Sequence, residues 1–166
     1  MPPVFTDQHE AVRYQSPRSA LYPQEYLFRA QVFQSLEKLG IRVQVERGMH
    51  FGDMSLRWDI GLKVGASPFR AEDVIIECKT VGGLPNLERS LGQALLYREC
   101  RCARVVLLCF PSDLELPLLF VRTCESLGIP VANELNVLQI VAMILQSVIM
   151  NIKRLGGRSA GSLSPL

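Results

Sequence analysis

This chain has no excess of charge of either sign. Eighteen Lys and Arg face sixteen Asp and Glu, a net charge of +2. That is too little to indicate a nucleic-acid partner by bulk charge, so any basic stripe would have to be local. No Walker-type glycine loop and no Ser-His-Asp pattern occurs, and Gly82-Gly83 reads as a flexible turn rather than a phosphate cradle. The five cysteines, Cys78, Cys100, Cys102, Cys109 and Cys124, are odd in number, and Cys100-x-Cys102 has no second pair to complete a zinc site. The first twenty residues are polar and contain no apolar signal core. Reduced, buried thiols in a cytoplasmic protein are therefore expected. No internal repeat is present.

What is present suits one folded domain. The chain has 166 residues, 48% apolar and 20% charged. Residues 1–21, with three prolines, read as a loose arm, and the Gly- and Ser-rich stretch 156–166 reads as a disordered tail, leaving a domain over 22–155. Apolar spacing predicts a helix over 22–39 stopped by Gly40. Ile41–Glu46 alternates as a half-buried strand, followed by a turn with Gly48 and Gly52. Met54–Val64 reads as a second strand, with Leu56, Trp58, Ile60, Leu62 and Val64 on one face and Arg57, Asp59 and Lys63 on the other, closed by the turn Gly65–Pro68. Asp73–Thr80 is a third strand, and short connections predict an antiparallel meander. Helices are expected over Pro85–Glu99, Asp113–Leu127 and Leu135–Arg154, with strands at Arg104–Phe110 and Ile129–Ala132. The last helix is unusually apolar, but its polar residues Asn136, Gln139, Gln146, Ser147 and Asn151 share one arc. This favours a helix packed on the core or on a partner over a membrane span. The order predicts an α/β (α+β) sandwich, a mixed sheet with helices on its faces.

The chemistry concentrates in two strands. Side chains repeat every two residues along a strand, so Glu77 and Lys79 point the same way. Asp59 on the neighbouring strand can approach Glu77 closely enough to share a divalent ion. Hard oxygen donors favour Mg²⁺, with Mn²⁺ as a substitute, and the Cys78 carbonyl can add a further oxygen. A bound metal acidifies its water for attack on a phosphodiester, and Lys79 can stabilise the developing charge. The plainer reading is an exposed ion pair on a wet face. Against it, Val74-Ile75-Ile76 makes this a buried strand, and buried carboxylates are costly unless paired or metal-bound.

Asp59, then Ile75-Ile76-Glu77-Cys78-Lys79-Thr80, then Leu91-Gly92-Gln93-Ala94-Leu95-Leu96-Tyr97-Arg98, resembles the PD-(D/E)xK nuclease superfamily, the restriction-endonuclease-like fold, over roughly residues 22–110. There is a fainter likeness to Holliday-junction resolvases and to element-excision factors of the XisH type. The resemblance implies a three-layer sandwich and a metal-dependent DNA endonuclease. It implies Asp59 and Glu77 as metal ligands, Lys79 as the catalytic lysine, and Gln93 beside the metal or its water. Tyr97 would flank DNA or hydrogen-bond near the site, and Glu25 would be an additional metal carboxylate. Trp58 stands where the superfamily's name has proline. Arg57, Lys63 and Arg98 are candidate DNA-backbone contacts, with Arg101 and Arg104 extending the basic cluster. His50 reads as a loop histidine. The rival readings are a catalytically silent nucleic-acid-binding or assembly subunit, and an oligomerisation protein. A homodimer through the helix Leu135–Ile152 is expected.

Overall fold

Seven consecutive residues, Glu72 to Cys78, are buried, and their composition explains why they lie at the centre of the molecule. A strand carrying Val74, Ile75 and Ile76 in succession has no wet face, so both faces need cover. Each such side chain contributes about 1.5–3 kcal/mol when fully buried. The computed structural model describes residues 23–65 and 71–157. In chain order its elements are helix α1 (Pro23–Glu37), strands β1 (Arg42–Val45), β2 (Gly48–Phe51), β3 (Met54–Arg57), β4 (Ile60–Lys63) and β5 (Glu72–Cys78), helix α2 (Leu84–Glu99), strand β6 (Ala103–Cys109), helix α3 (Leu118–Ser126), strand β7 (Val131–Ala132) and helix α4 (Val137–Gly157).

Five strands form one sheet in the order β1-β4-β5-β6-β7, and β2 and β3 form a separate two-stranded ribbon. The junctions on the β1 side of β5 are antiparallel, and those on the β7 side are parallel. Helices cover both faces. Phe28, Val32 and Leu36 of α1 and Val137, Val141 and Leu145 of α4 pack with Leu62, Val74, Ile76 and Cys78. On the other face Leu87, Ala94 and Tyr97 of α2 and Cys124 of α3 pack with Ile75, Val106 and Leu108. The result is the expected three-layer α+β sandwich with a mixed sheet. Gly40 ends α1 in the left-handed region (φ 66°), where a residue without a Cβ is least strained.

Two expectations need correction. Met54–Val64 is not one strand. The β1/β4 ladder continues in unchanged register into the β2/β3 ribbon: Val45 pairs with Ile60, and Gly48 pairs with Arg57. Between them the ribbon bends. Glu46 has φ 49°, its N–H donates to the Asp59 carbonyl at 2.9 Å, and the Trp58 N–H donates to the Arg47 carbonyl at 2.9 Å. The bend sends Leu56 and Trp58 into the α2-side core while Ile60 and Leu62 stay in the α1-side core. The alternation therefore belongs to two faces, and His50 lies in β2 opposite Ser55 rather than in a loop. The second correction concerns Asp113–Leu127, whose helix begins only at Leu118. Pro117 disfavours helical geometry at Leu116, so the helix starts after it.

Helix α4 runs to Gly157, two residues into the expected tail. By length and composition Val137–Arg154 could cross a membrane, but Val137, Val141, Leu145 and Val148 are buried in the fold. The expected arm at 1–21, the turn residues 66–68 and the tail at 158–166 lie outside the described residues.

Candidate active site

The site forms at the C-terminal end of β5. The β4/β5 register pairs Ile60 with Ile76, so the next step of the ladder sets Asp59 opposite Glu77. Asp59 is held at both oxygens. Oδ1 accepts from Arg29 Nη1 at 3.1 Å, and Oδ2 accepts from the Cys78 N–H at 2.9 Å. Glu77 is 2% exposed, and its Oε2 lies 3.2 Å from Lys79 Nζ. Burial, and then the charge of Asp59, push the Glu77 carboxyl up to about 8 despite the nearby ammonium. Burial works to lower Lys79, but Glu77, Asp59 and Glu25 together outweigh it and raise its pKa.

Glu25, Arg29, Glu46, Arg57, Trp58, Asp59, Glu77, Lys79 and Gln93 line one small enclosed cavity of about 30 Å³. Helix α1 supplies Glu25 and Arg29, one turn apart on the same helical face. The Gln93 side chain enters from α2. Two oxygens here, Glu77 Oε1 and Gln93 Oε1, are buried without a hydrogen-bond partner. The Tyr97 hydroxyl lies near Glu77, but its hydrogen goes to the Arg57 carbonyl. A buried acceptor with no donor is costly, about 1–3 kcal/mol. The cavity has room for one water or one small cation.

The residues present fit a divalent ion in part. Glu77 and Gln93 each offer an unused oxygen, Asp59 keeps spare lone pairs, and all are hard donors suited to Mg²⁺, which retains most of its waters. Among the described residues, no three His, Cys, Asp or Glu side chains converge as ready-made metal ligands. The Cys78 thiol packs in the α1-side core, so only its backbone faces the site. Burial pushes that thiol up.

Asp59, Glu77, Lys79, Gln93 and Glu25 are thus brought together. Arg57 reaches the cavity too, paired through Nη2 with Glu46 at 3.1 Å. The other nucleic-acid candidates are not part of the cavity. Tyr97 is 2% exposed and meets Trp58 edge-on, centroids 6.0 Å apart, so a direct DNA contact gives way to a hydrogen bond near the site. It shares one face of α2 with the buried Leu87, Ser90 and Ala94. Arg98 donates to the Leu127 carbonyl at the end of α3. Lys63 lies at the far end of β4, opposite Arg42. Arg101 and Arg104 are exposed.

Two site residues escaped the sequence reading. Arg29 is 4% exposed and bridges Asp59 and Glu46, the latter at 2.9 Å. Its position four residues after Glu25 was the available signal. Glu46 follows β1 directly, with a left-handed backbone, and its side chain is largely buried against Arg29.

The sequence matches no protein-family model and no curated protein. Several solved structures match the chain, and two of them show the shared fold. One is Can2 from Sulfobacillus thermosulfidooxidans, solved with cyclic tetra-adenylate: TM-score 0.56, 13% identity, 87% of this chain and 47% of that one. The other is protein VC1899 from Vibrio cholerae: TM-score 0.50, 16% identity, 79% of this chain and 36% of that one. The chain spans less than half the length of either neighbour, and at this identity the likeness is one of fold.

Proposed function

We propose that the chain is a Mg²⁺-dependent DNA endonuclease of the PD-(D/E)xK type. The observation that carries this reading is the convergence of Asp59, just before β4, Glu77 and Lys79, at the end of β5 and just after it, and Gln93 of α2 on one enclosed cavity with two unsatisfied oxygens. A fold shared with a protein solved with a cyclic phosphodiester is in keeping with it.

A divalent ion, when bound, would lower the pKa of a water and neutralise phosphate charge. Asp59, Glu77 and the Cys78 carbonyl would hold it, with Glu25 as the additional carboxylate and Gln93 beside its water. The protein's own groups do the rest. Lys79, held by Glu77, presents a cation to the developing phosphate charge. Gln93 orients the attacking water through its free oxygen. The Cys78 N–H holds Asp59 in place, and Tyr97 braces the backbone at Arg57. Arg57, nearly half exposed at the mouth, is the nearest group for a DNA phosphate.

The test is incubation of the purified chain with labelled duplex, branched and single-stranded DNA, with Mn²⁺ or with chelator. Replacing Asp59 or Lys79 by alanine should reduce cleavage by about 10²-fold or more, the usual scale for one electrostatic group, while DNA binding persists. A specific observation favours a second reading, a catalytically silent nucleic-acid-binding or assembly subunit: Arg29 already neutralises Asp59. Wild type that binds DNA but cuts nothing with either metal decides for that reading.

Cutting both strands of a duplex calls for two sites. We place the dimer interface on α4, where Met143, Ile149, Met150 and Ile152 are exposed. Light scattering at micromolar concentration should give twice the chain mass. A monomer fully active on duplex substrates rules this interface out.

A further inference from the structure

We propose that Arg29 is a built-in counter-cation that limits this site to one divalent ion. The proposal rests on the metal reading above and concerns how many ions the site accepts. The cavity has two flanks. On one, Arg57, Glu46, Arg29 and Asp59 form an unbroken chain of alternating charge, with contacts of 3.1, 2.9 and 3.1 Å. On the other lie Glu77 Oε1 and Gln93 Oε1, both buried and both without a hydrogen bond.

The guanidinium of Arg29 is 4% exposed and permanently charged. It is fixed by two carboxylates and carried by a helix whose Phe28, Val32 and Leu36 are locked in the core. It therefore cannot swing aside as a surface arginine would. An ion placed between Asp59 and Glu77 meets free oxygens on the Glu77 flank. A second ion on the outer flank of Asp59 would have to stand where the guanidinium stands. The cavity volume of about 30 Å³ also matches a single small occupant. Arg29 acts through Asp59 and is a positioning residue. It fixes the carboxylate's orientation and occupies the outer cation position.

The test counts bound Mn²⁺ by electron paramagnetic resonance at concentrations up to about 1 mM, on folded protein without DNA. Wild type should bind one ion per chain. Arg29→Gln, which keeps a donor near Asp59 but removes the charge, should bind two, with the spectral broadening of a coupled pair. Arg29→Lys should bind one. Arg57→Met removes a cation one link further along the same chain and should also bind one, which separates position from general charge. Two ions in wild type, or one in Arg29→Gln, overturns the proposal. Should Arg29→Gln fail to give a cooperative melt, Arg29→Met is counted in its place by the same criterion. No ion bound to wild type or to any variant refutes the metal reading itself, and the role of Arg29 with it.

Discussion

Strand β5 buries a glutamate near each end, and the two ends have come to different uses. Glu72 is 1% exposed and Glu77 is 2% exposed, and burial raises both carboxyls above the ordinary range. Glu72 lies against the backbone of Gly61 and near the Trp58 indole, and the polar neighbours that act on it, Arg47, Lys63 and Asp73, do so through charge. Beside it, Asp73 Oδ2 accepts the N–H groups of Val64 (2.8 Å) and Gly65 (3.1 Å), tying down a turn. Glu77 has Lys79 at 3.2 Å, Asp59 across the ladder and a cavity with spare oxygens. A buried acid with a raised pKa is therefore not a site by itself. What distinguishes Glu77 is a second carboxylate in register, a cation two residues on, and space.

The largest expected separation of the two ends is in metal response. Glu77→Gln should abolish the Mn²⁺-induced rise in melting temperature and cut DNA cleavage by about 10²-fold or more, while Glu72→Gln leaves both at wild-type values. Equal losses in the two variants would mean that Glu77 is as structural as Glu72.

A smaller effect concerns pH in the presence of chelator. Glu77 titrates near 8 in the folded protein, against 4.5 in the unfolded chain. The native state then binds the extra proton between those values, so the stability contributed is complete below about 4.5 and lost as pH rises through about 8. Denaturant melts across pH 4.5–8.5 should show this decline in wild type and a flatter profile in Glu77→Gln. An unchanged profile would place the titration elsewhere.

The smallest effect sharpens the structural end. A Cβ at Gly61 would stand 2.5 Å from Glu72 Cδ. Gly61→Ala should cost about 1–3 kcal/mol by overpacking. Combined with Glu72→Ala the cost should shrink, because the clash is gone. Chemical denaturation of the two single variants and the double variant measures this, and strict additivity would show that the two side chains do not meet.

Much of the Glu77 end was legible because its order is local. A two-residue period puts Glu77 and Lys79 on one side of a strand whatever it pairs with, and the helix read over 85–99 carries Gln93 for reasons of spacing alone. The apolar run 104–110 reads as a covered strand, and β6 lies one residue earlier, at Ala103–Cys109. The site's other half was hidden because its contacts are distant in sequence. Arg29 and Asp59 are thirty residues apart, and no periodicity links them. The bend at Glu46 and Trp58-Asp59 was hidden for another reason. Alternation continues unbroken through Leu56, Trp58, Ile60 and Leu62, and only the presence of two cores shows that the faces part. Tyr97 likewise shares a helix with exposed residues, and its burial depends on where Trp58 lands.

The amino-acid order by itself determined which segments extend or coil and which acids and lysine share a strand face, since steric repeat and apolar spacing act over a few residues. The tertiary structure alone decided that helix α1 would lay Arg29 against Asp59, and that the ribbon would bend so that Glu46 completes the ion-pair chain. Those outcomes arise from packing two covered faces of one sheet, which brings the Arg29 guanidinium onto the buried carboxylate of Asp59.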